Sequence, residues 1–174
     1  HNPKEWNALK LLNDKGEFIS AEDGKIILDK AEKEKFIFSK VDALGTITKN
    51  EDSLAKHIDA IVQYPLVDVK AIQEADFSIV ADVINSTGAL ALPALFRALG
   101  VSKFTLLNSE MNGKFAHNPE PLPENLTGLS REVVAQKASL GIAVDPDVDR
   151  LCFVCEDGSF FGEEYTLVAV ADYV

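Results

Sequence analysis

Apolar and polar residues follow two different rhythms along the chain, and these rhythms predict strands and helices. Three short apolar runs, Phe77–Asp82, Phe104–Leu107 and Leu140–Val144, have the unbroken character of strands that are covered on both faces. Between them, apolar residues recur every three or four positions and predict helices over Ala89–Leu99 and Leu126–Lys137. Strands and helices therefore alternate, which predicts an α/β fold with a mixed, mostly parallel sheet flanked by helices.

The segments around these elements carry further signals. Leu151–Cys155 predicts another strand, and the proline-containing stretch Ser109–Asn125 predicts a long irregular loop. Helical spacing predicts helices over Glu51–Tyr64 and Val69–Glu74, and Tyr165–Val174 is predicted to form the first turns of one more. The elements within residues 51–161 complete the framework of one α/β domain.

The start of the chain is predicted to form only part of a domain. Trp6–Asn13 and Gly16–Ser20 favour the two strands of a hairpin, and Ala21–Lys35 is predicted to be a helix. These fall in a partial α/β domain over residues 1–50, ahead of a complete domain over residues 51–161 and a further helix within residues 162–174. The chain begins with histidine rather than methionine, so we expect a fragment of a longer protein.

Composition narrows the classes of protein. Of 174 residues, 47% are hydrophobic, which is enough for a sizeable core. Seventeen Lys plus Arg against 28 Asp plus Glu give a net charge of −11, which argues against nucleic acid as a partner because a phosphate backbone needs clustered basic residues. No apolar run approaches the roughly 20 residues of a spanning helix, so no membrane association is expected. The polar amino terminus and two cysteines favour a cytoplasmic protein.

Three carboxylates at alternate positions are the sharpest chemical feature. Asp145, Asp147 and Asp149 come directly after an apolar run, at the end of a strand where open α/β sheets bind ligands. In a tight loop their oxygens can converge, and hard oxygen ligands suit Mg²⁺. Arg150 adds a planar cation that can grip a phosphate. A magnesium site is predicted here, and a solvated acidic turn is the alternative.

The amino-terminal segment is less informative by itself. Asn2 before Pro3 favours an extended or turn conformation, and Lys10 follows on a predicted strand, from which it can point back toward that turn. On these residues alone an ordinary surface loop with a solvated lysine is the better interpretation.

Together, these residues resemble the α-D-phosphohexomutases, the family of phosphomannomutase, phosphoglucomutase and phosphoglucosamine mutase. That family has a loop Thr-Ala-Ser-His-Asn-Pro-x-x-x-Asn-Gly-x-Lys, and His1–Pro3, Asn7 and Lys10 fall at the same spacings, with Ala8 in place of the glycine. Its metal loop Asp-x-Asp-x-Asp-Arg is matched by the sequence from Asp145 to Arg150. Two further stretches look like the family's second domain, Asp82–Gly88 and His117–Pro123.

The resemblance implies an isomerase that interconverts hexose 1-phosphate and hexose 6-phosphate, with mannose, glucose or glucosamine as the sugar. A phosphoserine, expected just before His1, would pass its phosphate through a 1,6-bisphosphate intermediate. Mg²⁺ on the three aspartates would stabilise charge, and Arg150 would support the transferring phosphate. Lys10 would act as general acid/base, with His1 in the same loop.

The resemblance also assigns the three parts of the chain. Residues 1–50 would be the end of the family's first domain, residues 51–161 its metal-binding second domain, and residues 162–174 the first helix of its third. We expect the 174-residue chain to be inactive by itself, because the phosphoserine and the remaining sugar-holding domains are not in it.

Two other classes fit part of the pattern. A haloacid-dehalogenase-type phosphatase would use Asp145 as nucleophile and Asp147 as acid/base, but it needs a downstream lysine and no lysine follows Arg150. A non-catalytic α/β binding module with a structural cation is the second alternative.

Overall fold

The computed structural model describes Glu5 and residues 9–174, without the side chain of Glu163. Two compact units are present, one within Asn7–Asn50 and a larger one that comprises Glu51–Val174. No helix in the described part of the chain has both the length and the apolar character that a membrane crossing requires.

The smaller unit holds a helix and a short antiparallel bridge. Helix α1 (Ala21–Glu32) begins after Ser20, whose hydroxyl oxygen accepts a hydrogen bond from the backbone N–H of Asp23 at 3.1 Å. This cap satisfies one of the backbone donors that the first helical turn leaves unpaired. The bridge joins Leu12 and Phe18 in antiparallel orientation.

The hairpin predicted over Trp6–Asn13 and Gly16–Ser20 is confirmed in part: its described segments pair in antiparallel orientation, but neither extends into a strand. Besides the bridge, the Asn13 N–H donates to the Glu17 carbonyl at 2.8 Å and the Ile19 N–H to the Leu11 carbonyl at 3.3 Å. The Asn13 side-chain oxygen holds the turn by accepting from the backbone N–H of Lys15 and of Glu17. Two strands without a packed third neighbour are marginal in water, and no described residue of this unit supplies one.

A four-stranded sheet forms the centre of the larger unit. Its strands are β1 (Ser78–Asp82), β2 (Lys103–Leu107), β3 (Leu140–Val144) and β4 (Leu151–Cys155). In space the order is β2-β1-β3-β4, with β1 parallel to both neighbours and β4 antiparallel to β3. The predicted mixed, mostly parallel sheet is confirmed. The carboxyl ends of β1, β2 and β3 therefore meet along one side of the sheet, here named the carboxyl edge.

Helices flank this sheet at the positions that the apolar spacing predicted, with ends shifted by a few residues. Asp68 caps the helix that begins at Val69 by accepting a hydrogen bond from the backbone N–H of Ala71 at 2.9 Å. The described helices of the unit are α2 (Ser53–Val62), α3 (Val69–Ala75), α4 (Gly88–Ala98), α5 (Thr127–Gln136) and α6 (Glu163–Tyr173).

The sheet carries an apolar layer on each face. On one face, α5 buries Leu129 and Val133 completely, and on the other, α4 buries Leu92 and Phe96. Gly141 in β3 allows α5 to approach closely, because a Cβ atom there would lie 2.7 Å from Val133 Cγ2. Burial on both faces explains why the strands appear in the sequence as continuous apolar runs.

The backbone enters the left-handed region after each of the three strands that end at the carboxyl edge. Ile84 (φ +46°) and Asn85 (φ +55°) follow β1, Asn108 (φ +52°) follows β2, and Val148 (φ +62°) follows β3. Isoleucine and valine rarely adopt this conformation because the Cβ substituents crowd the backbone. Such strain concentrates at functional sites, so the carboxyl edge is the first place to look for one.

Candidate metal centre

Residues 145–150, here named the aspartate loop, leave β3 at the carboxyl edge in a tight turn. Asp145 has no exposed surface, and its Oδ1 accepts hydrogen bonds from the backbone N–H groups of Asp149 at 3.0 Å and Arg150 at 3.1 Å. The Val148 N–H also bonds back to the Asp145 carbonyl at 3.1 Å. These bonds curl the loop around the Asp145 carboxylate and hold it in place.

The other oxygen of this carboxylate is the feature that calls for a cation. Asp145 Oδ2 is buried, and no hydrogen-bond donor of the described residues reaches it. A buried charged oxygen without a partner is costly unless it meets a cation or a metal. Ligand oxygens of Asp145, Asp147 and Asp149 lie within 4.8 Å of one another, so small side-chain rotations bring them to a single ion. The convergence predicted for the three aspartates is thus present, and hard oxygen donors of this kind fit Mg²⁺.

The electrostatics of the loop point the same way. Burial raises the pKa of Asp145 above its ordinary value, and the neighbouring carboxylates of Asp147 and Asp149 raise it further, against the lowering effect of the Arg150 backbone N–H. Full ionisation of the three carboxyl groups is therefore unfavourable at this site. A divalent cation would offset their mutual repulsion and so favour the ionised form.

Arg150 ends the aspartate loop with its side chain about half exposed. Its Nη1 donates a hydrogen bond to Glu120 Oε1, and its Nε lies 4.0 Å from Asp145 Oδ2 and 4.0 Å from Asp149 Oδ1. The guanidinium thus lies between Glu120 and the candidate metal ligands, with part of its surface open to an incoming anion. The contact between Glu120 and Arg150 could not be predicted from the sequence, because the two residues lie 30 positions apart.

The loop after β1 fixes the aspartate loop from the side. The hydroxyls of Ser86 and Thr87 donate to the Pro146 carbonyl at 2.8 and 2.7 Å. Gly88 opens α4 against the end of β3, where a Cβ atom would lie 2.8 Å from Val144 Cγ2. From sequence this segment is an ordinary turn, and its contact with the aspartate loop could not be predicted.

A second polar cluster lies at the carboxyl ends of β1 and β2. Asp82 is 3% exposed, and its carboxylate accepts from the Ile84 N–H at 3.0 Å, from Asn108 Nδ2 at 3.0 and 2.9 Å, and from His117 Nε2 at 3.0 Å. His117 Nδ1 faces the Asn118 carbonyl at 2.8 Å. Both partners only accept, so the ring donates at both nitrogens and is protonated in this arrangement.

The pKa of His117 agrees with that assignment. The hydrogen bond to Asp82 raises the pKa of the imidazole above its ordinary value of 6.5, with burial acting in the opposite direction. A polar cavity of about 520 Å³ opens beside the pair, between β2 and α5. No role is predicted for His117 from its sequence context. The one signal for its partner Asp82 is the position of this aspartate at the end of an apolar run.

Four of the predicted site residues lie in the aspartate loop. Asp145, Asp147, Asp149 and Arg150 form one cluster. Lys10 is an exposed residue of the smaller unit, and His1 lies outside the described residues. The roles of all six residues stay predictions.

An α/β domain with an aspartate loop at its carboxyl edge agrees with what comparison of the sequence finds. Residues 55–158 match the family described as phosphoglucomutase/phosphomannomutase, alpha/beta/alpha domain II. The match covers more than half of the chain, and the chain belongs to this family. The two alternatives raised from the sequence, a haloacid-dehalogenase-type phosphatase and a non-catalytic α/β binding module, are therefore not favoured.

Individual relatives agree with the family. The chain is 39% identical over 175 residues to the phosphoglucomutase/phosphomannomutase of Thermococcus kodakarensis, covering 100% of this chain and 38% of that protein. It is 32% identical over 160 residues to the phosphoglucosamine/phosphogalactosamine mutase of Sulfurisphaera tokodaii, covering 91% and 34%. The chain thus spans little more than a third of the length of these relatives.

A solved structure shares the fold. The phosphoglucomutase/phosphomannomutase family protein from Burkholderia thailandensis superposes with a TM-score of 0.67 over 88% of this chain and 31% of that one, at 23% identity.

Proposed function

We propose that this chain is the metal-binding part of a phosphohexomutase, an enzyme that interconverts hexose 1-phosphate and hexose 6-phosphate through a phosphoserine and a 1,6-bisphosphate. The observation that carries the proposal is the buried Oδ2 of Asp145, which no hydrogen-bond donor of the described residues reaches, among three converging carboxylates beside Arg150. A relative described as phosphoglucomutase/phosphomannomutase and one described as a phosphoglucosamine/phosphogalactosamine mutase support it. Mannose, glucose and glucosamine phosphates are the proposed substrates.

The proposed mechanism divides the work among the residues of the site. Asp145, Asp147 and Asp149 would hold Mg²⁺, which when bound supplies positive charge next to a phosphate oxygen. Arg150 binds and orients the transferring phosphate through its planar fork of N–H donors. Lys10 would move a proton at the sugar hydroxyl, and His1 would lie beside the phosphoserine. Phosphoryl transfer depends mainly on such positioning and charge neutralisation.

The environment of Asp145 supports this assignment over a nucleophilic one. Its Oδ1 already accepts two backbone hydrogen bonds, and the carboxylate has no exposed surface. An attacking carboxylate must reach the phosphorus of a bound substrate, so a buried, turn-forming aspartate suits a ligand better than a nucleophile. The proposal also assigns residues 1–50, 51–161 and 162–174 to the first, second and third domains of the enzyme, and places the enzyme in the cytoplasm.

The test is a mutase assay on the whole protein that contains this chain. Conversion of glucose, mannose or glucosamine 1-phosphate to the 6-phosphate is measured with Mg²⁺ and the matching 1,6-bisphosphate. Asp147→Asn should lower kcat at least 100-fold, because one ligand and one charge leave the site. Replacing a residue that only supports a metal ligand already costs roughly 10–100-fold in activity, and loss of a ligand itself should cost no less than the upper end of this range.

Asp172→Asn makes the same chemical change on exposed α6 and serves as the control, with unchanged kcat expected. Release of inorganic phosphate without isomerisation would instead indicate a phosphatase. Binding of sugar phosphate with neither reaction would indicate a non-catalytic module.

A further inference from the structure

Glu120 is the residue outside the aspartate loop that contacts the Arg150 guanidinium most directly. Its Oε1 accepts a hydrogen bond from Arg150 Nη1, and the glutamate side chain is only 28% exposed. We infer that Glu120 is a positioning residue that holds Arg150 away from the metal ligands and keeps it directed at the phosphate. This inference rests on the proposed function, since it assigns Glu120 a role in that same site.

Hydrogen bonds on both sides hold the Glu120 backbone. The Glu120 N–H donates to Asn118 Oδ1 at 3.1 Å, and Asn125 Nδ2 donates to the Glu120 carbonyl at 2.8 Å. Pro119 between them is buried. A side chain whose backbone is fixed in this way loses little further freedom when it holds a partner, so the contact favours one direction of the guanidinium.

The segment that carries Glu120 is in turn tied to the sheet. His117 Nε2 donates to Asp82 at the end of β1 at 3.0 Å, and the Ala116 N–H donates to Asn85 Oδ1 at 3.0 Å. Both Asp82 and Asn85 are buried at the carboxyl edge. The second polar cluster therefore acts as the anchor for the arm that presents Glu120.

The charges around Arg150 show what this arm prevents. The guanidinium Nε is 4.0 Å from Asp145 Oδ2 and 4.0 Å from Asp149 Oδ1, just beyond hydrogen-bond distance. Without Glu120 these carboxylates become the attracting partners, and Arg150 can close the remaining gap. It would then occupy the oxygens that the metal needs, so arginine and metal would compete.

Metal binding by the 174-residue chain tests this competition directly. Mn²⁺ is the probe, because electron paramagnetic resonance measures the concentration of the free ion, and the bound fraction follows by difference. We expect Glu120→Gln to weaken Mn²⁺ binding about tenfold, within the roughly 10–100-fold range of outer-shell partners. Glu124→Gln removes the same charge from an exposed position in the same loop and should leave the affinity within twofold.

A double variant separates competition by arginine from simple loss of negative charge. In an Arg150→Gln background, Glu120→Gln should no longer weaken Mn²⁺ binding, because the competing cation has gone. Equal weakening in both backgrounds would overturn the inference, since only the field of Glu120 would then matter. Unchanged affinity in Glu120→Gln alone would overturn it as well. Urea unfolding of each variant confirms that the fold is intact.

The outcomes also separate this inference from the proposed function. If the unsubstituted chain binds no Mn²⁺, both the metal site and the role of Glu120 fall. If Mn²⁺ binding follows the expected pattern but the whole protein isomerises no hexose phosphate, the proposed function falls and the positioning role stands. In an active mutase, Glu120→Gln should lower kcat about tenfold with KM changed less, and Glu120→Asp should recover part of the loss.

Discussion

Replacing Asp145 with asparagine should separate metal binding from stability. Asparagine has nearly the same shape, and its Oδ1 can still accept from the backbone N–H groups of Asp149 and Arg150. Its amide nitrogen takes the place of Oδ2, which no described donor reaches, and can donate a hydrogen bond to the neighbouring carboxylates of Asp147 and Asp149. The substitution therefore turns a buried negative charge without a donor into a neutral group with acceptors in reach.

The size of the effect follows from the burial of that oxygen. Leaving a buried polar atom unsatisfied costs about 1–3 kcal/mol, and more if the atom is charged. Without metal, Asp145→Asn should therefore raise the free energy of unfolding by about 1–3 kcal/mol, a gain that appears in Tm as about 2–4 °C per kcal/mol for a chain of this size. Functional sites often lower the stability of the fold in this way, here because like charges are held close together.

Urea and thermal unfolding in EDTA, repeated with Mg²⁺ or Mn²⁺, measure both halves of this prediction. The unsubstituted chain should gain stability with rising metal concentration, because the ion binds the folded form, and Asp145→Asn should not. Asp172→Asn should behave like the unsubstituted chain in both conditions. An Asp145→Asn chain that is less stable than the unsubstituted one in EDTA would show that Oδ2 has a stabilising partner and would refute the reasoning.

Two further predictions concern the packing and the polar anchor. Gly141→Ala should lower the free energy of unfolding by about 1–3 kcal/mol, because the new Cβ would lie 2.7 Å from Val133 Cγ2, whereas Gly128→Ala in α5, with open space around it, should not destabilise. His117→Gln should reduce stability at pH 5.5 and much less at pH 9. The folded pKa of His117 is raised, so the charged pair with Asp82 stabilises fully below the unfolded pKa of about 6.5, and this contribution is lost as pH rises through the folded pKa. Urea unfolding at the two pH values measures it, and an equal loss at both would contradict the charged pair.

Features that depend only on residues close together in the chain could be predicted from the sequence. β1 and β3 are buried on both faces, so nearly all of their residues are apolar and the two strands can be recognised as apolar runs. The spacing of Asp145, Asp147 and Asp149 likewise lies within one loop, and their convergence needed no knowledge of distant contacts. The aspartate loop was therefore predictable down to its residues.

The contacts between remote segments could not be predicted in this way. His117 reaches Asp82 across 35 positions, and Glu120 reaches Arg150 across 30. Each pair depends on the path of an irregular loop, which no periodicity describes. The predicted hairpin forms only one bridge for a related reason, since a pair of short strands extends only where a neighbouring element covers it.

The aspartate loop is also the connection of the antiparallel pair β3 and β4. Closing this hairpin brings three carboxylates together, so the turn that joins the strands resists its own formation when no cation is present. An ion held by the closed loop would act only after the strands have met, and it would lower the fraction of molecules in which β4 is detached. The supply of divalent cation in the cell would then set how long this strand stays available to proteases and to wrong pairing with other chains.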